Sequence, residues 1–86
     1  MYSVGFDKNG WEDYCHWKNQ DKKTIKKIDE LIKELFKNPF VGIGKPEPLK
    51  QNLTGFWSRR IDEKNRVVYK IEKNNVTVIR CRGHYN

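Results

Sequence analysis

RVVYKIEKNNVTVIRCR, residues 66–82, is the stretch that decides the fold, because it has the pattern of two strands joined by a tight turn. Side chains along the first strand, residues 66–71, point alternately to opposite faces of a sheet. The Asn-Asn pair of EKNN suits a tight hairpin, and residues 76–82 form the second strand. The first strand would carry Val67, Tyr69 and Ile71 on one face and Arg66, Val68 and Lys70 on the other.

The residues before this hairpin predict two helices and two further strands. FWSRRI, residues 56–61, is the strand that precedes the hairpin. Apolar residues recur at helical spacing over residues 25–36, and Pro39 should end that helix because the residue before a proline disfavours helical geometry. An earlier helix begins near Gly10, after a short alternating strand at residues 2–6.

A turn-rich segment separates the helices from the hairpin strands. Residues 42–55 contain three glycines and two prolines and predict a loop that wraps around the domain. The order of strand, two helices, loop and antiparallel strands predicts an α+β fold. In it, two N-terminal helices pack on one face of a small, mostly antiparallel twisted sheet. We expect residues 1–86 to form a single domain.

Positive charge is concentrated in the second half of the chain. The formal net charge is +7, from 18 Lys and Arg against 11 Asp and Glu. Residues 1–43 carry 8 basic and 7 acidic groups, whereas residues 44–86 carry 10 basic and 4 acidic groups. Because a guanidinium suits phosphate well, this bias favours a polyanionic partner over a merely soluble basic domain. The second half also holds all five arginines: Arg59, Arg60, Arg66, Arg80 and Arg82.

The sequence gives little support for secretion, membrane insertion or metal binding. Cys15 and Cys81 are too few and too far apart for a disulfide framework or a zinc site. No signal-peptide pattern and no membrane-spanning apolar run is present, so we expect a cytoplasmic protein with reduced thiols. His16 and His84 are the two histidines, and carboxylates do not cluster at ligand spacing, so we expect no metal or other cofactor.

Four features of the second half suggest chemistry on RNA. Glu47 lies between two prolines in GKPEPLK, residues 44–50, which restricts the backbone around its carboxylate. FWSRRI places aromatic side chains beside arginines, a composition typical of single-stranded RNA binding. Arg66 begins a strand, and a His-Tyr pair follows the last one. Each feature also has a simpler interpretation: a solvated glutamate, a core aromatic and a frayed chain end.

These groups match what a metal-free ribonuclease needs. A base removes the proton of the ribose 2′-OH, cations stabilise the charge on the phosphoryl oxygens, and an acid protonates the leaving 5′ oxygen. The sequence offers one restrained carboxylate, several arginines and a late histidine. From the residues alone, this catalytic set and a purely structural role both remain open.

The chain closely resembles the YoeB (Txe) toxins, a branch of the RelE-like toxin superfamily of bacterial toxin–antitoxin pairs. The matching stretches are WEDYCHW (11–17), DKKTIKKIDELIKELFKNPFVGIGKPEPLKQNLTGFWSRRIDEKNRVVY (21–69) and CRGHY (81–85). The resemblance implies a RelE-like, microbial-RNase-like fold. It also implies a ribosome-dependent endoribonuclease that cuts A-site mRNA on the 70S ribosome and leaves a 5′-hydroxyl and a 2′,3′-cyclic or 3′-phosphate.

The resemblance also implies roles for particular residues. Glu47 would be the general base, Arg66 would stabilise charge on the scissile phosphate, His84 would be the general acid and Tyr85 would help to orient substrate. We expect four further residues of the loop and of FWSRRI to contact substrate: Lys50, Arg60, Arg59 and Trp57.

Partners follow from the same resemblance. It implies a YefM-like antitoxin with a disordered segment that folds onto the toxin, and a possible homodimer. Gly83 stands where relatives commonly have a larger residue, and Asn86 extends past the usual His-Tyr ending. Two alternatives to ribosome-dependent cutting remain: a protein that blocks the A site without chemistry, and a ribonuclease that cuts free RNA.

Overall fold

The computed structural model of the protein describes residues 1–50 and 54–83. These residues form one five-stranded sheet in the order β1-β5-β4-β3-β2, with two helices. β1 and β5 are parallel, and the other neighbouring strands are antiparallel. The predicted α+β class, with a mostly antiparallel sheet, is therefore confirmed. In chain order the elements are β1 (Ser3–Phe6), α1 (Lys8–Gln20), α2 (Lys22–Lys37), β2 (Glu47–Pro48), β3 (Phe56–Arg60), β4 (Arg66–Glu72) and β5 (Asn75–Arg80).

Side-chain caps fix where both helices begin. Asp7 accepts a hydrogen bond from the backbone N–H of Gly10 at 2.8 Å and caps α1. Asp21 accepts from the backbone N–H groups of Lys23 and Thr24 at 3.0 and 3.1 Å and caps α2. The bond from Thr24 is the main reason that the pKa of Asp21 lies below its usual value. Neither helix of the described part of the chain is long and apolar enough to cross a membrane.

The core lies between the helices and one face of the sheet. α2 buries an apolar stripe at i, i+3 and i+7, as its sequence pattern predicts. The strands supply apolar side chains from every second position of β4 and β5. The fully buried members are Ile28, Leu31 and Leu35 of α2, Val67 and Tyr69 of β4, Val76 and Val78 of β5, and Cys81 beyond it.

β4 and β5 do not pair regularly along their whole length. Tyr69 faces Val78, but the neighbouring Val68 faces Arg80, so Ile79 is the additional residue of a β-bulge. Residues that face each other across a ladder project from the same side of the sheet. Arg80 therefore lies on the face of Val68, which is the face opposite the helices. We call this face, opposite α1 and α2, the outer face.

The bulge changes which residues at the end of β5 are buried. In a regular strand, alternation from Val78 would direct Arg80 towards the core and Cys81 away from it. With Ile79 inserted, Cys81 is completely buried instead, and burial raises the pKa of its thiol to about 12. The extra residue thus keeps a charged group out of the core.

The segment expected to be a loop contains a short edge strand. Glu47 faces Ser58 and Pro48 faces Trp57 in the antiparallel pair of β2 and β3. A proline cannot donate a ladder hydrogen bond, so it is tolerated in a strand at the sheet edge. The expectation of a loop over residues 42–55 was therefore wrong at these two positions.

Close packing of α1 on β5 requires a glycine at position 10. A Cβ built on Gly10 would collide with the backbone carbonyl oxygen of Val78, which no rotamer change can move. We expect Gly10→Ala to lower the free energy of unfolding by about 1–3 kcal/mol, although alanine favours helix by about 1 kcal/mol. Urea unfolding measures the change. Gly5→Ala is the matched control, because a Cβ there meets nothing within 4 Å. Equal stability of the two variants would contradict this packing.

Candidate active site

The strand register brings Glu47 and Arg80 onto the same face of the sheet. Glu47 faces Ser58, Ser58 faces Val68, and Val68 faces Arg80 in consecutive ladders. Because facing residues share a side of the sheet, these four side chains form one row across the outer face. The row begins at the edge with an exposed carboxylate and ends with an exposed guanidinium.

A second row on the outer face contains two facing arginines. Arg60 and Arg66 pair across β3 and β4, two residues along from Ser58 and Val68. Like charges that face each other across a ladder destabilise the pair, and an anion bound between them would remove that cost. The two rows together place one carboxylate and three arginines on the outer face.

The guanidinium of Arg66 is held in place by the turn that precedes it. Arg66 is only 9% exposed. Its Nη1 donates to the carbonyl oxygens of Asp62 at 2.7 Å, Asn65 at 3.2 Å and Glu63 at 3.4 Å. Arg60, by contrast, is exposed. Arg66 is therefore a preorganised cation, which is the kind of group that stabilises charge developing in a reaction.

The segment that carries Glu47 is tied to β3 at both ends. The backbone N–H of Arg60 donates to the carbonyl oxygen of Gly44 at 2.6 Å, and that of Leu49 donates to Phe56 at 2.8 Å. Between these two bonds, Glu47 stands between two prolines. Lys50 follows and is exposed. The carboxylate is therefore accessible on a restrained backbone.

The last described residues meet the start of β4. The N–H of Gly83 donates to Asn65 Oδ1 at 2.8 Å, and the Gly83 carbonyl oxygen accepts from the N–H of Arg66 at 3.1 Å. Gly83 has a φ of +93°, which glycine adopts without strain. His84 and Tyr85 follow it in the sequence but lie outside the described residues, so their proposed roles stay predictions.

A groove of about 580 Å³ lies between outer-face residues of β3, β4 and β5 and the first turns of α1. Its lining combines apolar side chains of the strands and of the loop, two arginines and two carboxylates of α1. Arg80 and Arg82 belong to it, although we did not single them out as site residues from the sequence. Simple alternation along β5 would place Arg80 on the core face, and no residue pattern in VTVIRCR indicates the bulge that moves it to the outer face. The lining residues are Asn9, Glu12, Asp13, Leu49, Phe56, Val68, Ile79, Arg80, Arg82 and Gly83.

Arg59, expected to contact substrate, is completely buried on the core side of the sheet. Its Nη2 donates to the carbonyl oxygens of Asn38 at 2.7 Å and Val41 at 2.8 Å. Its Nη1 donates to Ile43 at 3.1 Å, and its Nε to the hydroxyl of Tyr69 at 3.2 Å. The structure thus corrects our placement of Arg59: it holds the α2–β2 connection and does not reach the outer face.

Trp57, the other aromatic expectation, also lies on the core side. It faces Tyr69 across β3 and β4 and is half-buried against the core. Its ring meets that of Phe40 edge to face, with centroids 5.2 Å apart. FWSRRI therefore sends Trp57 and Arg59 to one side and Ser58 and Arg60 to the other, as strand alternation requires.

In residues 1–50 and 54–83, no group of three or more His, Cys, Asp or Glu side chains is arranged to hold a metal ion.

This combination of fold and site defines a small basic α+β protein with a carboxylate and a cluster of guanidinium groups on an open sheet face. The family model described as "YoeB-like toxin of bacterial type II toxin-antitoxin system" matches residues 6–85. The chain belongs to this family of toxins.

Individual relatives agree with this assignment. The Toxin YoeB of Escherichia coli K12 is 50% identical over 80 residues, which cover 93% of this chain and 95% of that protein. The YoeB dimer of Staphylococcus aureus superposes with a TM-score of 0.88 at 44% identity and 98% coverage of both chains. YoeB in the heterotetrameric YoeB–YefM complex of the same species gives 0.86 at 43% identity and 99% coverage of both.

Substitution of Arg59 and of Arg60 tests whether the core face and the outer face of β3 contribute differently to stability. Arg59→Lys keeps the charge but loses the planar fork that serves four acceptors. We expect it to lower the free energy of unfolding by at least about 2 kcal/mol. Arg60→Lys, at an exposed position, should change it by less than about 0.5 kcal/mol. Chemical denaturation measures both. If the two variants were equally stable, the structural role of Arg59 would be refuted.

Proposed function

We propose that this toxin is a ribosome-dependent mRNA endoribonuclease that acts in the cytoplasm by metal-independent acid–base chemistry. The observation that carries the proposal is the register that puts Glu47 on the same sheet face as Arg60, Arg66 and Arg80. A base and several guanidinium groups on one open face fit the requirements of attack by a 2′-hydroxyl on a phosphodiester.

Each group has a defined part in the proposed reaction. Glu47 removes the proton of the ribose 2′-OH, and the 2′ oxygen attacks the adjacent phosphorus. Arg66 stabilises the charge on the non-bridging oxygens. His84 gives a proton to the departing 5′ oxygen, and Tyr85 orients the substrate. The bond from phosphorus to the 5′ oxygen breaks, which leaves a 5′-hydroxyl and a 2′,3′-cyclic phosphate that water opens to a 3′-phosphate.

The restrained positions of Glu47 and Arg66 support this assignment. A base on a backbone fixed by two prolines and two hydrogen bonds loses little freedom in the transition state. A guanidinium already bonded to three carbonyl oxygens needs little reorganisation to meet developing charge. Arg60 and Lys50, both exposed, then supply positive charge to the RNA backbone.

The openness of the site supports a role for the ribosome. Glu47 and Arg60 are exposed on the outer face, outside the lining of the neighbouring groove, so this surface offers few contacts to fix a flexible RNA. A substrate already held in the A site would arrive in one orientation, which removes much of the entropic cost of reaction. This favours ribosome-bound mRNA over free RNA as the substrate.

An antitoxin and a second copy of the chain are the proposed protein partners. The solved S. aureus relatives are described as a YoeB dimer and as a heterotetramer with YefM. We extend both assemblies to this chain, with a YefM-like antitoxin as cognate partner. Because residues 44–86 carry 10 basic and 4 acidic groups, an acidic segment that folds on binding would complement this half.

Substitution of the three central groups tests the chemistry. We expect Glu47→Gln and His84→Gln to slow single-turnover cleavage by about 10²–10⁴-fold, and Arg66→Ala by about 10²–10³-fold. Ribosome binding should change little. Mapping of mRNA 5′ ends on translating ribosomes gives the rate and the product end group.

Glu72→Gln is the control for this experiment. Glu72 is an exposed glutamate at the far end of β4 and pairs with Lys70 at 3.4 Å. Discrete 5′-hydroxyl ends at A-site codons would support cutting, whereas stalled and intact mRNA would support the blocking alternative. Equal cutting of naked RNA would support a ribosome-independent ribonuclease. Wild-type rates in all three central variants would refute the assigned roles.

Arg82 tests whether the groove holds RNA. It is exposed and lines the groove, and is not among the groups assigned to the chemistry. Arg82→Ala should weaken ribosome binding and make it less salt-dependent, because one phosphate contact is lost. The cleavage rate at saturating ribosome should stay within about twofold of wild type, because a phosphate contact made equally in the bound state and in the transition state does not change the barrier. Affinities over a series of salt concentrations provide the measurement. An unchanged salt slope would place RNA outside the groove.

A further inference from the structure

The turn between β3 and β4 contains a hydrogen-bonded network centred on Asp62 and Asn65. Asp62 Oδ1 accepts from the backbone N–H groups of Lys64 at 2.8 Å and Asn65 at 2.7 Å. The side-chain amide of Asn65 donates to the two carboxylate oxygens of Asp62 at 3.2 and 3.1 Å. Partial burial raises the pKa of Asp62, but these hydrogen bonds outweigh it and bring the pKa below its usual value. The carboxylate is therefore ionised and orients the Asn65 amide.

The orientation of this amide leaves its oxygen facing the end of the described chain. Asn65 Oδ1 accepts the hydrogen bond of the Gly83 N–H, and the Gly83 carbonyl oxygen accepts that of the Arg66 N–H. Asn65 of the turn and Arg66 at the start of β4 thus bind both backbone groups of Gly83. Of these two bonds, only the one from Asn65 depends on a side chain.

A second pair of bonds fixes the same segment two residues earlier. The Cys81 N–H donates to Asp13 Oδ2 at 3.1 Å, and Trp17 Nε1 donates to the Cys81 carbonyl oxygen at 2.8 Å. Both partners belong to α1. The backbone that leaves β5 is therefore held by α1 at Cys81 and by the β3–β4 turn at Gly83.

We propose that Asn65 is a positioning residue for RNA cleavage. It holds Gly83 beside Arg66, so that the residues after Gly83 continue from a fixed point next to the guanidinium. The inference rests on the proposed function, in which His84 directly after Gly83 supplies the acid. Asn65 itself needs no contact with RNA in this role. A displacement of about 1 Å of a reacting group can cost about 10²-fold in rate.

Three variants isolate the network. Asn65→Ala removes both side-chain interactions. Asn65→Asp keeps an acceptor for the Gly83 N–H but sets a second carboxylate against Asp62. The double variant Asp62→Asn/Asn65→Asp exchanges donor and acceptor, so that the amide at position 62 donates to the carboxylate at position 65 with the same total charge. Asn74→Ala, at an exposed asparagine of the β4–β5 turn, is the control.

Two readouts separate positioning from stability alone. The first is the single-turnover cleavage rate at saturating ribosome, measured well below the unfolding temperature and expressed per folded molecule. We expect Asn65→Ala and Asn65→Asp to lower it by about 10–100-fold, with the half-saturating ribosome concentration within about twofold. The double variant should recover most of the rate. The second is amide hydrogen exchange of Gly83 by NMR, which should be faster in both single variants and restored in the exchange variant.

The outcomes distinguish this inference from the proposed function. If wild-type protein cuts mRNA and the single variants cut equally well per folded molecule, the positioning role is overturned and the nuclease stands. If the double variant is as slow as Asn65→Asp, the polarity of the network is not what matters, and the role is again overturned. If wild-type protein does not cut mRNA at all, the proposed function fails, and the positioning role with it.

Discussion

The buried guanidinium of Arg59 is the interaction on which the arrangement of this protein depends. It binds the carbonyl oxygens of Asn38, Val41 and Ile43 and so joins the end of α2 to the segment that leads into β2. Asn38 is the C-cap of α2, where the helix dipole favours a positive charge. In the described part of the chain, no buried side-chain nitrogen or oxygen lacks a partner. Burial of the Arg59 guanidinium would be costly without partners. The backbone carbonyl oxygens that accept its hydrogen bonds stabilise it, and they in turn gain the donors that they need.

This interaction has a consequence on the opposite face of the sheet. Arg59 fixes β3 against the α2–β2 connection, and the backbone of Arg60 then holds Gly44 at the start of the segment that carries Glu47. The exposed carboxylate is therefore anchored, through two neighbouring residues, to the most buried charge in the described structure. The stability of the core and the geometry of the candidate site therefore both depend on β3. Arg59 and Arg60 are neighbours in the sequence, yet Arg59 supports the core and Arg60 lies on the outer face. Strand alternation directs adjacent side chains to opposite faces of the sheet.

Local patterns in the sequence were enough to predict most of the fold. The helical stripe of α2, the stop before Pro39 and the alternation along β4 are all short-range signals, and the structure confirms them. The bulge at Ile79 could not be predicted, because it depends on how two strands pair rather than on the residues of either one. For the same reason Arg80 was missed.

The site was predictable in its chemistry and less so in its placement. The restrained backbone around Glu47, the strand-start position of Arg66 and the family resemblance made these two residues candidates, and the structure places both on one face. Three of the four expected substrate contacts lie in FWSRRI, where aromatics stand beside arginines, but two of these three side chains, Trp57 and Arg59, serve the core. Composition alone cannot separate the two faces of a strand. Only the register can, and it depends on distant residues.

The same register explains how the candidate site forms on so small a sheet. Arg60, Arg66 and Arg80 share this face with Glu47, and Arg60 and Arg66 face each other across a ladder at an electrostatic cost that a bound anion would reduce. Arg66 offsets part of this cost because the dipoles of the turn carbonyls stabilise its positive charge. A bound phosphodiester would supply the negative charge that offsets the remaining repulsion between the arginines. It would also bring the phosphorus atom that is attacked. The same guanidinium groups would then bind the RNA phosphate and stabilise the charge that develops on it. This requires neither a deep pocket nor a large domain.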